Sequence, residues 1–230
     1  MAAMLPTEFL PEPLPREPLS LAAAWLAEAT RRADQPNPNA MVLATASGDG
    51  QPSARVVLCK EIIPAPGFVC FYTNYRSRKG RELESNPRAA LVMHWDHLHR
   101  QVRIEGRVVS APAVESDAYF ASRPWQRRVG AWASAQSEPV DSRAALLAGV
   151  VRAAARFGAP TPGPEDDPEP AGLQIPRPPH WGGYHLWASA VELWVEGESR
   201  IHDRVRWERP LAPASGTFEP GPWRATRLQP

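Results

Sequence analysis

Apolar positions along the chain change period several times, and each change marks an element. Ser20 is placed to cap a helix over LAAAWLAEATRRA, with Leu21, Trp25 and Leu26 on one side and arginines in the last turn, where they suit the dipole. The runs AMVLATA, SARVVLCK and GFVCFYTN follow. They are β-rich and separated by the turn signals SGDGQP and PAPG, so they predict an antiparallel meander. A helix over 77–86 stops before Pro87, and AALVMHW and RQVRIEGRVVS resume the strands. VESDAYFASR predicts a further helix, and Ser142 to Phe157 a longer one that Gly158 ends. The last strands are YHLWASAVELWV, SRIHDRVRW and WRATRLQ. Strands in meanders with a few inserted helices predict a mainly β, α+β fold: a closed or partly closed antiparallel barrel decorated by helices, not a βαβ fold.

Proline sharpens this picture. Of the 27 prolines, five fall in residues 1–20 and eight in residues 159–179, so an extended tail (1–18) and a long Pro/acid loop flank a chain that otherwise folds normally. The expected organisation is that tail followed by a single domain over 19–230. With 26 basic against 25 acidic side chains and a net charge of +1, no global field draws the chain to nucleic acid or a membrane surface. Any anion site must therefore be local. Two cysteines make no disulfide framework, the N-terminus has no signal-peptide pattern and no apolar run is long enough to span a membrane, which points to the cytoplasm. If the PAPG hairpin pairs residues whose numbers sum to about 129, Cys59 faces Cys70. That leaves a cross-strand disulfide open beside the plainer reading of two small buried thiols.

The basic set consists of 24 arginines and two lysines, Lys60 and Lys79. On SRIHDRVRW as a strand, Arg200, His202 and Arg204 share one face, and Trp194 has the same parity on the preceding run. Fork-shaped donors beside an indole suit a phosphorylated aromatic ligand. A solvated strand face is the competing reading. In Ser77-Arg78-Lys79 the cations stand in a helical first turn, where they oppose the dipole unless an anion binds there. The odd spacing of Arg55 and Lys60 sends them to opposite faces unless a bulge or strand end intervenes. Gln101 and the pair Gln136-Ser137 offer neutral groups able to read a heterocycle's edge. Tyr119, Arg123 and Arg127, spaced by four, would share a helix face or its end, as phosphate ligands or as a solvated face. His94, His97 and His99 lack a second ligand group, so no metal site is expected, and no Ser-His-Asp order is visible.

The strings ARVVLCK, FYTNYRSRKGRELESNPRAAL, RQVRIEG, YFASRP, WGGY, VELWVEGESRIHDR and the terminal WRATRLQP resemble, in order and spacing, the pyridoxine/pyridoxamine 5′-phosphate oxidase family, from about Pro18 to Pro230. The resemblance implies an FMN-binding split β-barrel that works as a homodimer with flavin at the subunit interface. It also implies oxidation of pyridoxamine or pyridoxine 5′-phosphate to pyridoxal 5′-phosphate by O2, with release of hydrogen peroxide. By the same resemblance FMN contacts fall on Arg55, Val56, Val57, Leu58, Cys59, Lys60, Tyr72, Thr73, Arg78, Lys79, Gln101, Gln136, Ser137, Trp194 and Arg204. Lys60, Tyr119, Arg123, Arg200 and His202 match substrate contacts, the first three suited to the phosphate and the last two to catalytic placement of the substrate over the flavin.

Three departures stand out. The tail carries no Arg-x-x-Tyr segment of the kind that closes over substrate in the family; Arg127 stands where a serine usually touches the phosphate; and 159–179 reads as a disordered surface insertion without a catalytic part. Two other functions compete: a related flavin oxidase of another heterocycle, of the phenazine-biosynthesis type, and a non-catalytic flavin- or pyridoxal-phosphate-binding barrel.

Overall fold

A computed structural model describes residues 9–230. The readings made on the first eight residues, the lack of a signal pattern and of an Arg-x-x-Tyr segment there, lie outside the described residues. The described residues condense into two compact units, one formed by 9–71, 85–109 and 185–230, the other by 72–84 and 110–184.

The first unit is built on antiparallel strands. Helix α1 (Pro18–Arg32) precedes β1 (Ala40–Ala46), β2 (Pro52–Leu58), β3 (Glu61–Ile63) and β4 (Phe68–Asn74). After them come β5 (Arg88–Trp95), β6 (Arg100–Ser110), β7 (Trp181–Val195), β8 (Asp203–Glu208), β9 (Leu211–Ala214), β10 (Thr217–Pro220) and β11 (Arg224–Arg227). The main sheet runs β11-β8-β7-β6-β5-β1-β2, with β4 joining β7 and β3 pairing β4, while β9 and β10 form a separate hairpin. Strict alternation drives the interior: Ala89, Leu91, Met93 and Trp95 of β5 are buried and so are Val102, Ile104 and Val108 of β6. Gly106 keeps the same inward parity, and a Cβ there would stand 1.8 Å from the Trp187 carbonyl oxygen, so this close approach of two strands needs glycine.

Helix α1 begins earlier than its sequence predicts. Pro18 occupies its first turn, where a missing N–H costs nothing, and Glu17, not Ser20, is the cap, its carboxylate accepting from Leu19 N and Ser20 N at 2.7 Å each. The buried stripe is Leu19, Ala22, Trp25 and Ala29. The run SARVVLCK divides: β2 pairs only β1, whereas Lys60 N donates to Cys70 O and β3 turns to β4 with Glu61 opposite Cys70. That register sums to 131, two residues from the expected one. Cys59 and Cys70 are buried thiols without a disulfide between them.

The second unit is helical: α2 (Arg78–Ser85) enters it, and α3 (Ala113–Ala121), α4 (Trp125–Ala133) and α5 (Arg143–Arg156) fill it. Its core gathers Phe120, Trp125, Val129, Ala131 and Ala154 with Trp181 from the start of β7. Ser142 caps α5 as expected, Ala145 N donating to its hydroxyl at 3.0 Å. Helix α4 escaped the sequence reading. Pro124 cannot continue α3 but suits the residue before a new helix. The Pro/acid loop is not a disordered insertion. Leu173 and Ile175 are buried in the core, and Trp132 Nε1 donates to Pro176 O at 2.7 Å.

Candidate functional site

In the second unit, β4 ends at Asn74 and the chain turns at once into α2. Ser77 caps that helix, accepting from Gly80 N at 3.3 Å while its own hydroxyl donates to Asn74 O at 2.7 Å. Gly80 fits because a Cβ there would meet the Tyr75 carbonyl oxygen at 1.9 Å. Lys79 is buried, and its ammonium donates to Thr73 Oγ1 at 3.0 Å, Ser77 Oγ at 3.3 Å and Gln136 Oε1 at 2.8 Å. Arg78 N donates to Ser137 Oγ at 3.1 Å. Thr73, Arg78, Lys79, Gln136 and Ser137, spread over more than sixty positions of sequence, thus meet around one helix N-terminus. Arg78 turns its own guanidinium to Glu82 at 2.8 Å.

A second group in the same unit is aromatic. Tyr72 and Tyr119 stack with centroids 4.0 Å apart, Trp181 lies nearly parallel to both, and the Arg123 guanidinium sits 4.7 Å from the Trp181 ring. Tyr119, Arg123 and Arg127 do not share a helix face. α3 ends at Ala121, Arg123 lies in the turn and Arg127 in the first turn of α4. They remain close, since the Tyr119 phenol acts electrostatically on both arginines. Arg123 Nη1 is buried and has no hydrogen-bond partner among the described residues. Burial pushes the Arg123 guanidinium below its ordinary range. Arg127 is instead held up by the hydrogen-bonded carboxylate of Glu165, 2.5 Å from Nη2.

In the first unit, Arg55 on β2 donates to Leu43 O at 3.2 Å, to Thr45 Oγ1 at 2.5 Å and to Ser53 Oγ. Val56 is 65% exposed and Lys60 is exposed, while Cys59 is buried and its thiol is pushed up to about 12 by that burial. Val57 and Leu58 are half-buried. The strand end between Leu58 and Lys60 separates Arg55 from Lys60. Gln101 faces His94 across β5 and β6.

The expected strand through Arg200, His202 and Arg204 begins only at Asp203. Ser199 and Arg200 both have positive φ, at 54° and 64°, in a turn that Gly197 closes. A Cβ on Gly197 would meet Ile201 O at 1.8 Å. The turn leaves Arg200 exposed and swings His202 against Trp194, ring centroids 4.6 Å apart. Gly197 N donates to His202 Nδ1 at 3.1 Å, which leaves the proton of a neutral ring on Nε2. Arg204 faces Trp194 in register and spends Nε and Nη2 on Glu192, at 2.9 and 3.0 Å. Glu192, 2% exposed, also takes Arg103.

Sequence reasoning missed Glu192, Trp181 and Glu165. A single carboxylate inside the apolar run of β7 was a readable sign for the first, because a buried charge demands partners. A cavity of ≈ 700 Å³ lined by Glu105, Arg206, Glu208, Arg209 and Arg224 collects none of the expected residues. The histidines between β5 and β6 turn to single acids, His97 to Asp34 and His99 to Glu196, and no metal-binding group of three forms among the described residues.

Residues 27–156 match the family described as "Pyridoxamine 5'-phosphate oxidase", and 181–230 match "Pyridoxine 5'-phosphate oxidase C-terminal dimerisation region". A Burkholderia thailandensis protein named pyridoxine/pyridoxamine 5′-phosphate oxidase is 50% identical over 206 residues, 90% of this chain and 86% of the relative. A Burkholderia cenocepacia protein of the same name is 47% identical over 214 residues, 93% and 89% of the two chains. Among solved structures, PhzG from Burkholderia lata 383 in complex with tetrahydrophenazine-1-carboxylic acid matches with a TM-score of 0.77 at 32% identity, covering 94% of each chain. A Nostoc punctiforme pyridoxamine 5′-phosphate oxidase-related, FMN-binding protein shares the fold, with a TM-score of 0.64 at 16% identity over 93% and 98% of the two chains. On this evidence, with its antiparallel split-barrel sheet and five helices, the chain belongs to the pyridoxamine 5′-phosphate oxidase family of flavin oxidases.

Proposed function

We propose that the protein is an FMN-dependent oxidase that converts pyridoxamine 5′-phosphate, pyridoxine 5′-phosphate or both to pyridoxal 5′-phosphate, with O2 as acceptor and hydrogen peroxide as co-product. The observation that carries this reading is Arg123, a guanidinium stacked on Trp181 with a buried, unpartnered Nη1 beside a second arginine. Leaving a buried donor unmade is costly, and a phosphate oxygen is the acceptor it suits. The fold as a working unit is a single FMN-binding domain over 19–230, active as a cytoplasmic homodimer. The dimerisation-region match over 181–230 supports the dimer, and among the described residues no helix is long and apolar enough to cross a membrane.

The donor set fits FMN. At the start of α2, the buried ammonium of Lys79, the Arg78 cation and the hydroxyl of Ser137 suit its phosphate. Gln101, Trp194 and the remaining Nη1 of Arg204 suit a polar ring edge and a flat face. Bound FMN supplies the acceptor for a hydride from the substrate's 4′ carbon and passes the electrons to O2. The chain's own residues then bind and orient: Arg123, Tyr119 and Lys60 hold the substrate phosphate, while Arg200 and the Nε2–H of His202 fix the pyridine's polar groups.

The likeness to PhzG favours a second reading, oxidation of a carboxylated tricyclic ring. One experiment separates the two. Purified protein showing a flavin spectrum is given pyridoxamine 5′-phosphate, pyridoxine 5′-phosphate or a reduced phenazine carboxylate under air, while pyridoxal 5′-phosphate and peroxide are followed. Pyridoxal 5′-phosphate formation is expected; a colourless protein without turnover, or turnover of the phenazine alone, overturns the proposal.

A further inference from the structure

The irregular segment after α5 is fastened to α4 through side chains. Gln126 Nε2 donates to Pro164 O at 2.6 Å and Asp167 O at 3.2 Å, and the next two residues, Arg127 and Arg128, take Glu165 and Glu169. These ion pairs are unlike each other. The Arg128 side chain is 8% exposed and ties the loop down, whereas Arg127 and Glu165 are 48% and 52% exposed.

Glu165 nonetheless holds Arg127 as a fork, Oε1 2.7 Å from Nε and Oε2 2.5 Å from Nη2. A carboxylate in that arrangement presents the same two acceptor atoms and the same sign of charge as one edge of a phosphate. Both Arg127 and Glu165 act electrostatically on Arg123, whose Nη1 lacks a partner. One arginine of the neighbouring pair is therefore unsatisfied, and the other is satisfied by an anion that belongs to the chain.

We propose that Glu165 is a specificity-determining residue for the anionic end of the substrate: it holds the Arg127 fork in the free protein and yields it to a phosphate seated on Arg123. The inference rests on the reading that Arg123 takes the substrate phosphate. Displacement is cheap, because an exposed ion pair costs at most about fivefold in affinity to break. A phosphate monoester carries about −1.5 to −2 charges at neutral pH and outbids a single carboxylate. A substrate bearing one carboxylate exchanges like for like and gains nothing, while the displaced Glu165 still faces it with the same charge. The pair thus favours phosphorylated over carboxylated rings.

The test compares the FMN-loaded wild type with Glu165→Gln, Arg127→Ser and the double variant. It measures kcat and KM for pyridoxine 5′-phosphate at low ionic strength, and inhibition by inorganic phosphate. Glu165→Gln is expected to lower KM about two- to fivefold, with kcat within about twofold, and to strengthen phosphate inhibition in parallel. In the Arg127→Ser background it is expected to change neither. Damage to the loop would raise KM, so the sign distinguishes competition from a structural effect. Turnover by the wild type with an unchanged or raised KM in Glu165→Gln overturns this inference alone. Absence of turnover in the wild type overturns the phosphate reading and this inference with it.

Discussion

Arginine meets glutamate in both units of the chain, on opposite terms. In the sheet unit Glu192 is almost fully enclosed and forked by Arg204, and Arg206 grips Glu105 with two bonds of 3.0 Å. In the helical unit Arg123 has a buried nitrogen without a hydrogen bond among the described residues, and Arg127 holds a half-exposed acid. An enclosed pair is expensive to break from one side, while an exposed one exchanges readily. Arg103, Arg204 and Arg206 are thus engaged with acids of the fold before any ligand arrives, and Arg123 beside Trp181 keeps a nitrogen that is not. What the contrast teaches is that arginine count says little about binding in an arginine-rich chain; the partner each guanidinium has already acquired says more.

The contrast can be broken at its strongest point by Glu192→Gln. Removing that charge leaves Arg103 and Arg204 facing a neutral amide, with an expected loss of about 3 kcal/mol in urea unfolding. A loss below about 1 kcal/mol would place Glu192 with the exchangeable pairs. Next in size is Arg123→Met, which keeps the apolar stem against Trp181 and removes the donors. KM for the phosphorylated substrate should rise roughly ten- to hundredfold, from the worth of hydrogen bonds to a charged group. The unfolding midpoint should stay level or rise, since an unpartnered buried cation opposes folding; a fall like that of Glu192→Gln would erase the distinction.

The smallest effect sharpens the sheet side. Burial pushes the Cys59 thiol from an ordinary value near 9 up to about 12, so the folded protein binds more protons than the unfolded chain between those values. The contribution is complete below pH 9 and is lost as pH rises toward about 12. Cys59→Ala should flatten that alkaline decline in a difference curve against wild type. At pH 8 the native thiol should resist alkylation by iodoacetamide; rapid labelling would show that the sheet opens at β2.

What could be read in the sequence followed from local rules. The runs AALVMHW and RQVRIEGRVVS read as strands and form β5 and β6, and the cations expected in a helical first turn stand there, Arg78 and Lys79 opening α2. The misreadings came where one residue overrides a pattern. Pro124 parts Arg127 from the helix that carries Tyr119, so a spacing by four does not put them on one face, and the positive φ of Ser199 and Arg200 bent what alternation drew as a strand. Glu165 was out of reach, because its meaning depends on a contact across 38 positions through a segment without periodicity.

That segment has one more consequence, in the entropy of the unfolded chain. Eight prolines in residues 159–179 fix eight φ angles whether or not the protein is folded. Ordering the loop therefore removes less freedom than ordering an ordinary stretch of that length. A few anchors, Leu173, Ile175 and the bonds to Gln126 and Trp132, suffice to hold it without a helix or a strand. Replacing an exposed proline such as Pro160 or Pro168 would loosen the loop through the denatured state.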